Sequence, residues 1–210
     1  VYKRQLLDST GMWKQVDHKL MAYYGKEVTP DLSERVQRMS IEEFSQFFVT
    51  EFQLPATPEQ IAKQVADMVE EEYCHLLPLK PHVPEFLDWL DQQGMVYGVA
   101  TATYGELAQA ALKRLGLWER VQFLLTEQDA GAPKTQPDIF RLGAQKLHLG
   151  KRQIAVAEDS LYALQTAKAA GFFTVGVYDP ESAAVWPEIC ATATVHIRDL
   201  LELKPMLRGV

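Results

Sequence analysis

Two cysteines stand in the 210 residues, Cys74 and Cys190. They form no CxxC pair and are too few for a disulfide framework. They read as buried free thiols of a reducing compartment. No apolar run approaches the ~20 residues that a bilayer-spanning helix needs. The first residues also lack the long apolar core of a signal peptide. The sequence therefore reads as a soluble, cytoplasmic protein with no membrane partner. Positive charge is short as well: 21 Lys and Arg against 28 Asp and Glu leave a net charge of -7. That balance argues against a broad grip on nucleic acid, though it leaves room for a local cationic pocket around one small anion. The five histidines (His18, His75, His82, His148 and His196) show no metal-ligand spacing. Oligomeric state is not written in these features.

What the chain does have is apolar material, 47% of its residues, enough to bury the core of one domain and a small appendage. From Met12 to about Leu77 the apolar residues recur at helical spacing, with no convincing strand. Met12, Val16, Leu20 and Tyr23 share one face, and Ile41, Phe44, Phe48 and Phe52 share another. Ser40 with Glu43 suggests a capping box before the second helix. Thr57, followed by Pro58, suggests an N-cap for a third helix carrying Ile61, Val65, Met68 and Val69. The stretch LLPLKPHVP then places Pro78, Pro81 and Pro84 within seven residues, which ends helical continuation and marks a hinge.

Beyond the hinge, strand and helix alternate. VPEFLDWLDQQG closes at Gly94 and leads into MVYGVAT. Next come ELAQAALKRLG, VQFLLT, PDIFRLGAQKLHLG and QIAVAE, and then SLYALQTAKAAG, FFTVGVY and ATVHI. Strands that are nearly continuous in apolar residues, with helices between them, predict a Rossmann-like α/β fold: a parallel sheet covered on both faces. In such sheets ligands bind beyond the carboxyl ends of the strands, so the residues just after each strand are the candidates.

The first strand ends at Thr101, Ala102 and Thr103, where a hydroxyl and the following N–H groups can hold an anion; a threonine there can equally be a helix N-cap. After VQFLLT, Lys134 precedes a Pro-Asp helix start, and a loop lysine is commonly just a solvated charge. QIAVAE ends in Glu158-Asp159-Ser160. Two adjacent acids at the buried end of a strand are costly unless paired or bound to a cation, and oxygen ligands of that kind suit magnesium. The alternative is that Asp159 or Ser160 simply caps the next helix.

Hydroxyl, lysine and acid pair, each at a successive strand end, together resemble the haloacid dehalogenase superfamily, in the branch containing β-phosphoglucomutase and small-molecule phosphatases. The resemblance rests on GVATAT, PKTQPDIF and AEDSLYAL. It implies that Thr101, Ala102 and Lys134 bind phosphate and that Glu158 and Asp159 serve Mg2+. It also implies that residues 12–79 form an inserted helical cap and residues 80–210 the core, with residues 1–11 a remnant of the first core motif. Thr135 departs from the family pattern, where proline usually follows the lysine.

The family's first motif, DxDGTLxDS, is matched at its tail by LLDS, Leu6 to Ser9. Registering backward puts Val1 on the nucleophilic aspartate and Lys3 on the acid/base aspartate. Valine cannot attack phosphorus, and lysine cannot shuttle the proton in the same way. The expectation is a parent phosphatase acting on a sugar phosphate or nucleotide. VYKRQ then reads as sequence joined to a truncated gene, and the chain as written is inactive and destabilised. The alternatives are a non-catalytic phosphate binder and a sugar-phosphate mutase. The family strand before this motif lies mid-sheet, between the strands ending at Thr101 and Glu158. Trp13 stands where the mutases carry a histidine, which favours hydrolysis, or else packs between cap and core. Arg38 is a candidate for a second anionic group on the substrate, or a solvated surface arginine.

Overall fold

The computed structural model describes residues 6–9, 11–29, 32–36, 39 and 41–207. The chain divides into two compact units, one formed by Thr10–Leu76 and the other by Val1–Ser9 with Leu77–Val210.

Among its described residues the Thr10–Leu76 unit holds helices joined by turns and loops, and no strand. Helix α1 (Met12–Tyr23) buries Met12, Val16, Leu20 and Met21, a spacing that keeps one face inward. Tyr23 departs from the expected face and is 71% exposed. It closes the helix, its ring stands edge-on to Tyr24, and Met21 takes the inward place. A short helix not read from the sequence, α2 (Leu32–Val36), buries Leu32 and Val36 one turn apart. In α3 (Ile41–Phe52), Phe44 and Phe48 stack with centroids 4.2 Å apart. Ser40 of the expected capping box lies outside the described residues.

Helix α4 (Pro58–Glu71) starts as its sequence predicts. The Thr57 hydroxyl accepts from Gln60 N, and the Gln60 side chain accepts from Thr57 N. Ile61, Val65 and Val69 face inward. A π-helical turn, Glu72–Leu76, follows, and its buried Glu72 pairs with Lys19 Nζ at 2.6 Å. Among its described residues the unit thus holds four α-helices and a π turn, where periodicity alone reads three helices.

In the second unit, Leu7 forms an antiparallel bridge with Leu79, Asp8 N donates to Pro78 O, and Lys80 N donates to Leu6 O. These bonds put Pro78 and Leu79 in this unit, so the division falls at Leu76, a little before the expected residue 79. Helix α5 (Val83–Gln92) ends at Gly94, whose φ of +67° suits glycine. Then follow β1 (Val99–Thr101), α6 (Gly105–Arg114), β2 (Leu124–Thr126), α7 (Glu127–Ala130), α8 (Asp138–Leu147), β3 (Ala155–Glu158) and α9 (Leu161–Ala169). The remainder is β4 (Phe173–Val177), α10 (Trp186–Thr192), β5 (Val195–Ile197) and α11 (Leu203–Met206).

All strand pairs in the named ladders are parallel. They form two sheets, β1–β2 with Val99 opposite Leu124, and β3–β4–β5 with Ala155 opposite Phe173 and Val175 opposite Val195. Among the described residues no ladder joins β1 to β3. The strand that the resemblance puts between them is not among the described elements. One core cluster gathers Leu6, Phe86, Leu87, Val99, Ala157, Val175 and Ile197. Among the described residues no helix is long and apolar enough to cross a membrane.

Candidate active site

The site is built from the ends of β1 and β3 and from the loop after α7. β3 is short and apolar up to Ala157, and its last residue, Glu158, is buried opposite Gly176 of β4. A carboxylate at such a depth is tolerated only if its oxygens find donors. Glu158 Oε1 accepts from Lys134 Nζ at 3.0 Å. Oε2 accepts from the backbone N–H groups of Asp159 at 3.0 Å and Ser160 at 3.3 Å. Burial pushes the Glu158 carboxyl up to about 7, against the attraction of Lys134 and helped by repulsion from Asp159.

Lys134 is therefore no solvated loop charge. It is 7% exposed, with its ammonium on Glu158 and its backbone N–H donating to Glu127 Oε1 at 2.8 Å. Asp159 is 3% exposed and follows directly on the strand. Ser160 occupies the N-cap position of α9, yet its side chain makes no capping bond. The backbone N–H of Ser160 itself donates to Glu158 Oε2.

Thr101 closes β1 and is 3% exposed; its hydroxyl accepts from Thr103 N at 3.0 Å. It does not cap the next helix, because α6 starts at Gly105, four residues beyond Thr101, with Tyr104 at the N-cap. Ala102 lies exposed in the bend between them. The structure thus joins Lys134 to Glu158 directly and sets Asp159 beside them, while Thr101 is held separately through Thr103. Trp13 is the second residue of α1. Val1, Lys3 and Arg38 lie outside the described residues.

The donor set bears on magnesium in a specific way. Both Glu158 oxygens are engaged by nitrogen donors, so Glu158 fits a supporting place behind a metal shell. Asp159 is the carboxylate suited to direct ligation of a hard cation. Among the described residues no cluster of three His, Cys, Asp or Glu groups is positioned to hold a metal. The acids present fit part of a magnesium shell, the part that octahedral Mg2+ commonly completes with water and phosphate.

Two supporting residues escaped the sequence reading. Glu127, which fixes the Lys134 backbone, directly follows β2; its signal was its place at a strand end, in the turn begun by the Thr126–Asp129 capping box. Asp179, just past the end of β4, is 2% exposed and ion-paired with Lys80 of the proline-rich stretch. An acid two residues past an apolar strand, in YDPES, was the available clue.

Comparison with known proteins gives consistent results. A family model described as haloacid dehalogenase-like hydrolase matches residues 5–177. A phosphorylated carbohydrates phosphatase of Thermotoga maritima is 24% identical over 166 residues, 79% of this chain and 77% of that protein. A fructose-1-phosphate phosphatase of Escherichia coli is 23% identical over 172 residues, 82% of this chain and 90% of that protein. The crystal structure of a candidate β-phosphoglucomutase from Thermotoga maritima superposes with a TM-score of 0.83 at 23% identity, covering 98% of this chain and 94% of that one. At that identity the likeness speaks for the fold.

Proposed function

Because this chain belongs to the haloacid dehalogenase-like hydrolase family, we propose that its site is that of a magnesium-dependent phosphatase for a small phosphorylated metabolite. A sugar phosphate is the favoured substrate class, with nucleotides next. The observation that carries the reading is the buried Lys134–Glu158 pair with Asp159 beside it at the end of β3. A buried ammonium held by one carboxylate is a fixed, water-shielded donor for a phosphoryl oxygen. The relatives named as sugar-phosphate phosphatases support the substrate class.

Each residue then has a task. Lys134 binds the transferring phosphoryl group and offsets the negative charge of the neighbouring carboxylates. The Thr101 hydroxyl and the N–H of Ala102 bind a further phosphoryl oxygen. Glu158 keeps the Lys134 ammonium in place, and Asp159 holds the cation with Glu158 supporting it through water. Magnesium, when bound, neutralises phosphate oxygens and favours in-line displacement. The unit Thr10–Leu76 serves as a cap that excludes bulk water, with movement at Asp8–Gly11 and Leu79–Pro84. Trp13, which has no proton to exchange at neutral pH, favours hydrolysis over phosphoryl return.

The covalent step needs an oxygen nucleophile at position 1 and a proton donor at position 3. An aspartate at position 1 forms the bond to phosphorus while the leaving oxygen departs, taking its proton from an aspartate at position 3. Water, deprotonated by that second aspartate, then breaks the acyl phosphate. Val1 and Lys3 supply neither function. The chain as written is thus a phosphate binder without turnover, in a cytoplasmic setting.

The test is the double variant V1D/K3D, assayed for phosphate release from sugar phosphates with Mg2+. It is expected to gain turnover at least a hundredfold above the chain as written and to lose it again with K134M. Equal turnover by the unaltered chain, insensitive to K134M, would overturn the reading.

A further inference from the structure

Lys134 is held from two sides. Its ammonium rests on Glu158 at the end of β3, and its backbone N–H donates to Glu127 Oε1 at 2.8 Å. Glu127 directly follows β2, and the residue before it, Thr126, stands opposite Thr101 in the β1–β2 ladder. Glu127 also holds the intervening loop through its backbone, because its carbonyl accepts from Ala132 N at 3.2 Å. The turn that carries Glu127 is itself fixed: Thr126 N donates to Asp129 Oδ2 at 2.7 Å, and Asp129 N donates back to the Thr126 hydroxyl at 3.2 Å. Gly131, at a left-handed φ of +66°, then leads the chain out of α7 toward Lys134. A continuous set of bonds thus runs from the strand beside Thr101 to the backbone of Lys134.

We propose that Glu127 is a positioning residue for anion binding: its carboxylate fixes the Lys134 backbone relative to Thr101, so that ammonium and hydroxyl meet the same phosphate. This role rests on the reading of Thr101 and Lys134 as phosphate ligands. A lysine side chain is a flexible four-carbon stem, so its ammonium is placed only as well as the backbone that carries it. Electrostatics alone gives Glu127 the wrong sign for a helper, because a carboxylate near Lys134 repels an anion bound there. Removing that charge should tighten phosphate binding if charge were all that mattered. Positioning predicts the reverse for a side chain that loses the acceptor, and no loss for one that keeps an acceptor without the charge.

Calorimetric titration of the full chain with inorganic phosphate in Mg2+ separates the two. Glu127→Ala should weaken binding at least about fivefold, the scale of one lost hydrogen bond. Glu127→Gln retains an oxygen for the Lys134 N–H and should bind within about twofold of the parent. In a double-mutant cycle, Glu127→Ala should add little to Lys134→Met but its full factor to Thr101→Ala. The NMR signal of the Lys134 ammonium, assigned by its loss in Lys134→Met, should shift in Glu127→Ala and return in Glu127→Gln. A general loss of stability would not produce that pattern, and the signal decides where Lys134→Met binds too weakly to titrate. The role is overturned if Glu127→Ala binds as tightly as the parent or more so, if Glu127→Gln fails to rescue, or if the ammonium signal stays in place while affinity falls. A parent chain that binds no phosphate would sink the phosphate-site reading together with this role. Binding that falls with Thr101→Ala and Lys134→Met but ignores Glu127→Ala would sink this role alone.

Discussion

At the scale of single residues, the Lys134–Glu158 pair explains why both side chains can be buried. Taking two charges out of water is costly, and removing one partner strands the other, an effect of about 3–5 kcal/mol for buried pairs. Lys134→Met should therefore lower stability by about 3 kcal/mol in urea unfolding, with Lys134→Met/Glu158→Gln recovering part of the loss. Glu158 also makes a pH statement. Its carboxyl sits at about 7 in the fold, above the ~4.3 of an unperturbed glutamate. The fold keeps a proton that the unfolded chain has already released. The stability this group contributes is thus full at acid pH and falls as pH rises from about 4.3 through about 7. Glu158→Gln cannot titrate. Measured by urea unfolding in chelator, the parent's stability should fall relative to that of Glu158→Gln between pH 5 and 7.5, and the opposite slope would refute the assignment.

At the scale of elements, the motifs that announce strand ends were legible because their chemistry is local. AEDS and VATAT each put a polar group directly after an apolar run, PKTQPD puts a lysine just ahead of a Pro-Asp helix start, and the capping box at Thr57 is a short-range code. Elements held by tertiary packing were not legible. α10 went unread because YDPESAAVWPEICAT carries Pro180 and Pro187, which look like breakers; Pro187 instead sits in the first turn of the helix, where proline is tolerated. The clue lay in another element. A Cβ on Gly176 of β4 would meet Ile189 of α10 at 2.7 Å, so the glycine is there for close packing. Gly176→Ala should destabilise the chain by roughly 1–3 kcal/mol through overpacking. A Gly176→Ala/Ile189→Ala double variant should lose less than the sum of the two single changes, as read from paired melting curves. Tyr23 illustrates the same limit from the other side: periodicity puts it inward, and its place at the helix end turns it outward.

At the scale of the molecule, the α/β architecture was readable from the alternation of elements and the family from the motifs at the strand ends. The alternation is a property of the sequence; the ladder between β1 and β3 depends on what stands between them. The candidate site spans both sheets, since Thr101 belongs to β1 and Glu158 and Asp159 follow from β3. Anion binding by the whole chain therefore reports whether the two sheets act together. Calorimetric titration of the chain with inorganic phosphate in Mg2+ tests this directly. The account predicts saturable one-to-one binding, weakened at least tenfold by either Thr101→Ala or Lys134→Met. Binding that ignores both substitutions, or no binding at all, would contradict a phosphate pocket assembled from these strand ends.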